Sequence, residues 1–281
     1  MFAGWAGASP AQDIAADIAY LAHDGLYWQV AVTDARGEAH HVLTASEGDK
    51  TRVSWFPDGR RLLVNVADGR LFELNIATGE ERPVPLPLEG MLDAALSPDG
   101  RHIVFSLSTS GSVDANNLWL FDLEGEEIRK LTHMARMQHE PTWNRNGTAV
   151  YFLSGDGGQN HDIWKVEVAT GSTAQLTAGM LYHFDVAVGP DGWLAFSSNR
   201  SGAYQIWAMD DLQAVSQLTD HPALDARPSW SPDGSHLVFE SSRGGDMGLW
   251  RMARNGDEPQ RLSPQERPAR FPVWRQQEAS R

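Results

Sequence analysis

Paired carboxylates, histidines and hydroxyls are where chemistry could sit in this sequence, and most of their groupings fail the spacing that chemistry needs. His139-Glu140 opens like a zinc-binding helix motif, but Pro141 follows at once and no second histidine stands one helical turn on. The stretch Gly155-Asp156-Gly157-Gly158-Gln159-Asn160-His161-Asp162 offers oxygen ligands and flexible glycines, as calcium would need. It lacks the EF-hand spacing, and a turn between strands is the plainer reading. Asn146-Gly147-Thr148 matches a glycosylation acceptor, but it also reads as a turn. A nucleophile elbow, a Walker loop and a dinucleotide glycine pattern are all missing. The chain has no cysteine, which removes thiol nucleophiles, disulfides and cysteine-held metals together. His40-His41 reads as a solvated pair, and His23, His102 and His236 as surface residues beside turns.

Composition narrows the partners. The chain has 281 residues, 41% of them hydrophobic, with 23 basic against 37 acidic side chains and a formal charge of -14. Such a surface repels nucleic acid and anionic membranes at long range. No run of roughly 18 apolar residues is present, so membrane insertion is not expected. Met1 to Gln12 carries no Lys or Arg and too short an apolar run for a signal peptide. Ala6-Gly7-Ala8 does have the spacing of a trimmed cleavage site.

The 26 Gly, 15 Pro and 11 Trp, without sustained helical periodicity, point to many short strands. A repeat organises them. Phe56-Pro57-Asp58-Gly59, Ser97-Pro98-Asp99-Gly100, Arg145-Asn146-Gly147, Gly189-Pro190-Asp191-Gly192 and Ser231-Pro232-Asp233-Gly234 are five copies of one turn. From Asp58 through Asp99, Asn146, Asp191 and Asp233 the spacings are 41, 47, 45 and 42 residues. Pro sets the second turn position, Asp or Asn caps the turn, and Gly accepts the positive φ that closes it. Each turn leads into an apolar run such as Ile103-Val104-Phe105, then a strand with an aromatic (Phe72, Trp119, Trp164, Trp207, Trp250). A Leu-Thr-like pair such as Leu131-Thr132 ends the unit. Trp55, Trp143 and Trp230 stand three residues before their turn Asp or Asn. With Trp28 and Trp274 included, nine of the eleven tryptophans fall at two repeat positions. That is packing between blades rather than a sugar platform.

The period is that of propeller blades. The expected fold is all-β: a single six-bladed β-propeller of four-stranded antiparallel blades, the ring closed by the C-terminal strand joining the N-terminal hairpin. Blades are expected at 16–45 plus 270–275, 50–86, 91–133, 137–178, 182–220 and 224–263, with 1–15 as an extension. Phe271-Pro272-Val273-Trp274 fits the closing strand better than Gly4-Trp5-Ala6-Gly7. Closure leaves no open edge, so a monomer is expected.

Pro228-Ser229-Trp230-Ser231-Pro232-Asp233-Gly234, then Leu237 through Arg243 and Leu249-Trp250-Arg251-Met252, resemble the TolB-type propeller repeat. A second close copy runs from Leu194 through Met209 to Thr219. The resemblance covers about residues 18 to 275, the propeller part only, since just 17 residues precede the first hairpin where TolB proteins carry an α/β domain. It implies a periplasmic interaction scaffold with a protein partner. A chain truly starting at Met1 without a leader would instead be cytoplasmic. Related repeats also occur in peptidase propellers, so an accessory propeller of a peptidase and a pore-centred metal-assisted hydrolase or lyase are the alternatives.

In a propeller the innermost strands line the channel. Three residues before the Trp55 position stand Arg52, Asp93, Glu140, Asp185, Arg227 and Phe271. Five before it stand Lys50, Met91, Gln138, His183, Asp225 and Ala269, with His139 between the rows. Arg52, Asp93, His139, Glu140, His183, Asp185, Asp225 and Arg227 are therefore the candidate binding residues at the channel mouth, for a protein partner or a small ligand. No cofactor is required, but the carboxylates suit a channel-bound cation such as calcium, or a basic group, with His183 tuning it by pH. The plainer alternative is that these charges pair with each other.

Overall fold

A computed structural model describes residues 16–86, 88, 90–107, 116–155, 160–179 and 181–276. Twenty-four strands form six sheets of four antiparallel strands, arranged as the blades of a propeller, with no helix among the described residues. Blades 2 to 6 each run continuously outward from an inner strand: Lys50–Trp55, Met91–Leu96, Met137–Trp143, His183–Val188 and Asp225–Trp230. Blade 1 takes its inner strand, Ala269–Trp274, from the far end of the chain, where Trp274 pairs with Ile18 and Ala269 with Ala22. The closing strand is the tail, as its sequence implies, and Trp274 is buried. Gly4 to Ser9, the rival strand, lies outside the described residues.

Burial follows from the blade's position between two neighbours. Second strands such as His102–Leu107 and His236–Ser241 pack on both faces and so read as continuous apolar runs. Fourth strands such as Thr173–Gln175 are short and exposed, which blunts the edge each blade presents. The recurrent hydroxyl has a defined task. Thr44, Thr132, Thr177, Thr219 and Ser263 each accept the backbone N–H of a third-strand residue (Val30, Leu118, Ile163, Ile206, Leu249) at 2.9 to 3.0 Å. Thr44 and Thr219 pass their own protons to Gln29 and Gln205.

The turns behave as written. Gly59, Gly100, Gly147, Gly192 and Gly234 have φ of 62° to 88°, and each donates to the carbonyl three residues earlier, as Gly100 does to Ser97 at 2.9 Å. Asp58, Asp99 and Asp233 accept the N–H two residues on. The hydroxyls of Ser231 and Ser235 and the Ser235 N–H hold the Asp233 carboxyl down at about 2. Turns of adjacent blades also interlock: a Cβ on Gly100 would meet Pro57 at 2.8 Å and one on Gly234 would meet Pro190 at 2.9 Å. Blade 4 carries Arg145 where the other turns carry Pro, and around Gly192 of blade 5 the space is open.

One register differs from expectation. Val30 and Leu118 are equivalent by their bonds to Thr44 and Thr132, which aligns Trp119 with Ala31 and puts Trp28 three residues early. Trp28 instead lies beneath Arg270, whose guanidinium sits 3.9 Å from the ring centre. The repeat position therefore claims eight tryptophans, not nine.

Candidate functional site

The row three residues before the Trp55 position is a row of β-bulges. Asp93, Glu140, Asp185, Arg227 and Phe271 all have φ between 51° and 58°, and the ladder shifts register at each. The left-handed conformation costs non-glycine residues about 1–3 kcal/mol each, and a bulge re-aims its side chain, here toward the channel. In three blades the next residue is proline (Pro141, Pro228, Pro272), which has no N–H to leave unpaired at the break. In blade 3 it is Ala94, whose N–H donates to Asn65 at 2.9 Å. Arg52, on the sixth inner strand, keeps negative φ beside its own register shift.

Four of the five strained N–H groups donate to an acceptor on the neighbouring blade. Glu140 N–H donates to Asp93 Oδ2 at 3.3 Å, and Asp185 N–H to Glu140 Oε2 at 2.9 Å. Arg227 N–H donates to Ser197 Oγ at 3.1 Å, and Phe271 N–H to Glu240 Oε2 at 3.0 Å. The carboxylates thus stitch blade to blade. The guanidiniums brace the same layer: Arg227 bonds Glu240 at 2.6 Å, approaches Asp185 at 3.4 Å and stacks on Phe271 at 4.3 Å. Arg52 crosses the channel to the carbonyls of Asp93 and Pro141 at 3.1 and 2.7 Å.

Electrostatics splits the two central acids. Burial, then the adjacent Glu140 charge, pushes the Asp185 carboxyl up to about 8. Burial also pushes on Glu140, but the His139 contact at 3.6 Å and the Asp185 N–H outweigh it and hold Glu140 below the usual range.

The row is the inner end of a cavity of about 310 Å³ that runs to the turn end of the channel. Arg52, Glu140, Asp185 and Arg227 line it, and Asp93 supports them from beside it. His139 leans away against the His161 ring at 4.7 Å. The row five residues before Trp55 does not face the channel. Lys50, Gln138, His183 and Asp225 are buried within the blades. His183 packs on Phe196 at 5.3 Å, and burial, helped by Arg200, drives its imidazole down to about 4. Asp225 pairs with Arg243 at 2.5 Å. The reason is the bulge: it turns one position of the strand to the channel, so the position two before it, which would share that face in a regular strand, points into the blade. Among the described residues, no three His, Asp or Glu side chains converge as a metal would require. The loop around Asp156 lies partly outside the described residues.

Two residues escaped the sequence reading, Glu240 and Ser197, both buried on second strands. Glu240 had a signal: a lone carboxylate in the otherwise apolar run Leu237-Val238-Phe239.

The hairpin face, where second strands turn into third strands, differs from the turn face. Leu92, Met137 and Leu224 stand exposed where inner strands begin there, and Leu26 at the tip of the first hairpin. Phe184 and Tyr204 pack edge to face at 5.4 Å, and Tyr182 stacks near Phe184, on the same face. Of the exposed large apolar side chains among the described residues, Leu212 alone lies toward the turn face.

Residues 17–194 and 184–280 match the family model described as the TolB beta propeller domain. An uncharacterized protein of Agrobacterium fabrum is 29% identical over 195 residues, 67% of this chain and 64% of the relative. An uncharacterized peptidase of Bacillus subtilis is 30% identical over 155 residues, 53% of this chain and 22% of the relative. The chain thus spans less than two thirds of either relative. TolB from Acinetobacter baumannii superposes with a TM-score of 0.81 at 23% identity, over 94% of this chain and 67% of that one.

Proposed function

Since the chain belongs to the TolB beta-propeller family, we propose that it is a non-enzymatic binding scaffold that takes a segment of a protein partner at the hairpin-face mouth of its channel. The carrying observation is the apolar rim of Leu26, Leu92, Met137, Phe184, Tyr204 and Leu224 gathered on one face. Exposed apolar groups gathered on one face, with half-buried aromatics beside some of them, are what a partner desolvates. Glu140 and the rest of the bulge row form the polar layer beneath this rim, with His139 beside Glu140. A basic partner group, or a cation such as calcium, reaching that layer would meet the Glu140 carboxylate. The compartment in this reading is the periplasm, as the resemblance implies.

The test uses the full chain with a photo-crosslinker beside the rim, in envelope extracts of the native organism. Leu92→Glu with Met137→Glu should abolish capture of a defined protein, and Leu212→Glu should leave it intact. Equal capture by both variants moves the site off this face. The second reading, an accessory propeller of a peptidase, is favoured by the Bacillus relative, where the match occupies 22% of the length. A captured partner that itself hydrolyses peptides would select it.

A further inference from the structure

The cavity on the turn side of the bulge row is walled above that row by Val53, Val186, Pro228 and Pro272 and opens among the turns. Its size falls at the lower end of small-molecule pockets. One of its cations, Arg145, is not matched by an acid among the described residues, whereas Arg52 and Arg227 act on the Glu140 and Asp185 charges. Arg145, in the turn position that is proline in the other copies, reaches across to the Pro232 carbonyl at 2.8 Å and meets no carboxylate among the described residues. Arg52 likewise donates only to the neutral carbonyls of Asp93 and Pro141. Arg227 is already matched by Glu240. Glu140 is engaged by the Asp185 N–H and by His139.

We propose that this turn-face cavity binds a small organic anion, a carboxylate on an apolar alkyl or aryl body. The apolar walls take the body, and the carboxylate replaces a neutral carbonyl as the acceptor of Arg145. An ionised acceptor makes the shorter and stronger bond to a guanidinium, which is the gain that drives the exchange. The raised Asp185 carboxyl supports the same sign. Pushed up to about 8 by burial and the Glu140 charge, it offsets Arg52 less than an ordinary carboxylate would. Glu140, Glu240, Arg52 and Arg227 are the charged groups that face it. This site does not depend on the hairpin-face reading.

The experiment titrates hexanoate and phenylacetate into the full chain at pH 6.5, read by calorimetry and by fluorescence of Trp55, Trp143, Trp230 and Trp274, which line the cavity. Hexylamine and hexanol serve as charge controls. Saturable binding of both carboxylates, at least about tenfold tighter than either control, is expected, lost in Arg145→Gln and weakening as pH rises through the Asp185 titration. Arg145 is half-buried and, among the described residues, bonds only the Pro232 carbonyl, so an unaltered melting temperature checks that Arg145→Gln keeps the fold. Val186→Trp, which fills the cavity, should block binding independently. Hexylamine binding as tightly as hexanoate would overturn the proposal, since the acids would then set the ligand class. So would carboxylate binding that survives Arg145→Gln, or no saturable carboxylate binding at all.

Discussion

The two ends of this propeller are built under different rules. At the turn end the same four-residue loop recurs in five of the six blades, and in three places a proline packs on the next blade's glycine. At the hairpin end the connections vary in length and chemistry, and exposed Leu92, Met137 and Leu224 share a face with Phe184 and Tyr204. The turn end holds the ring together and tolerates little variety. The hairpin end is relieved of that duty and can be shaped for a partner. Between them the bulge row faces both ways, binding the blades through strained backbone N–H groups while presenting charge to the channel.

Removing the closing strand tests the ring most severely. Deleting residues 270–281 takes Trp274 from its buried place and opens blade 1, and should cost more than the about 3–5 kcal/mol of a buried tryptophan alone. Unchanged chemical denaturation would show that closure does not hold the two ends in one unit.

The bulge row should reveal itself in pH dependence. From the ordinary carboxylate range up to about pH 8, the folded chain keeps a proton on Asp185 that the unfolded chain has released. Its contribution to stability therefore falls as pH rises across that window and levels off above it. Asp185→Asn, which cannot ionise, should remove this slope in pH-dependent urea melts. A slope that persists assigns the titration to another group.

Glycine substitution sharpens the contrast within the turn end. Gly100→Ala and Gly192→Ala share positive φ, each costing on the order of 1 kcal/mol. Gly100→Ala should cost more, because its Cβ would strike Pro57 whereas the space around Gly192 is open. Equal losses in thermal unfolding would mean that the turns do not interlock. The smallest effect separates the faces: Leu92→Glu and Leu212→Glu should each shift stability by no more than about 0.5 kcal/mol, both being exposed. A large loss from Leu92→Glu alone would make the rim structural rather than a docking surface.

Legibility followed the same division. The turns were readable because proline, aspartate and glycine act within four consecutive residues, and their spacing needs no tertiary information. The closing strand was readable because Phe271-Pro272-Val273-Trp274 repeats the pattern of Pro228-Ser229-Trp230. Trp28 misled because an aromatic near a strand start imitates a repeat position, and only the Thr44 bond to Val30 sets the register. In the candidate site, counting from tryptophan groups Arg52, Glu140, Asp185 and Arg227, which the fold brings around one cavity. The same count does not hold for His183 and Asp225, because the bulge shifts side-chain alternation by one residue within the strand.

The sequence by itself determined the number of blades, their turns and the strand that closes the ring, since each is written in local patterns repeated about every 42 residues. Tertiary structure alone decided which charges meet. The bond from Glu140 to the Asp185 backbone spans 45 positions and that from Arg52 to Pro141 spans 89. Such pairings arise from ring geometry and a backbone bulge, neither of which leaves a periodic mark in the chain.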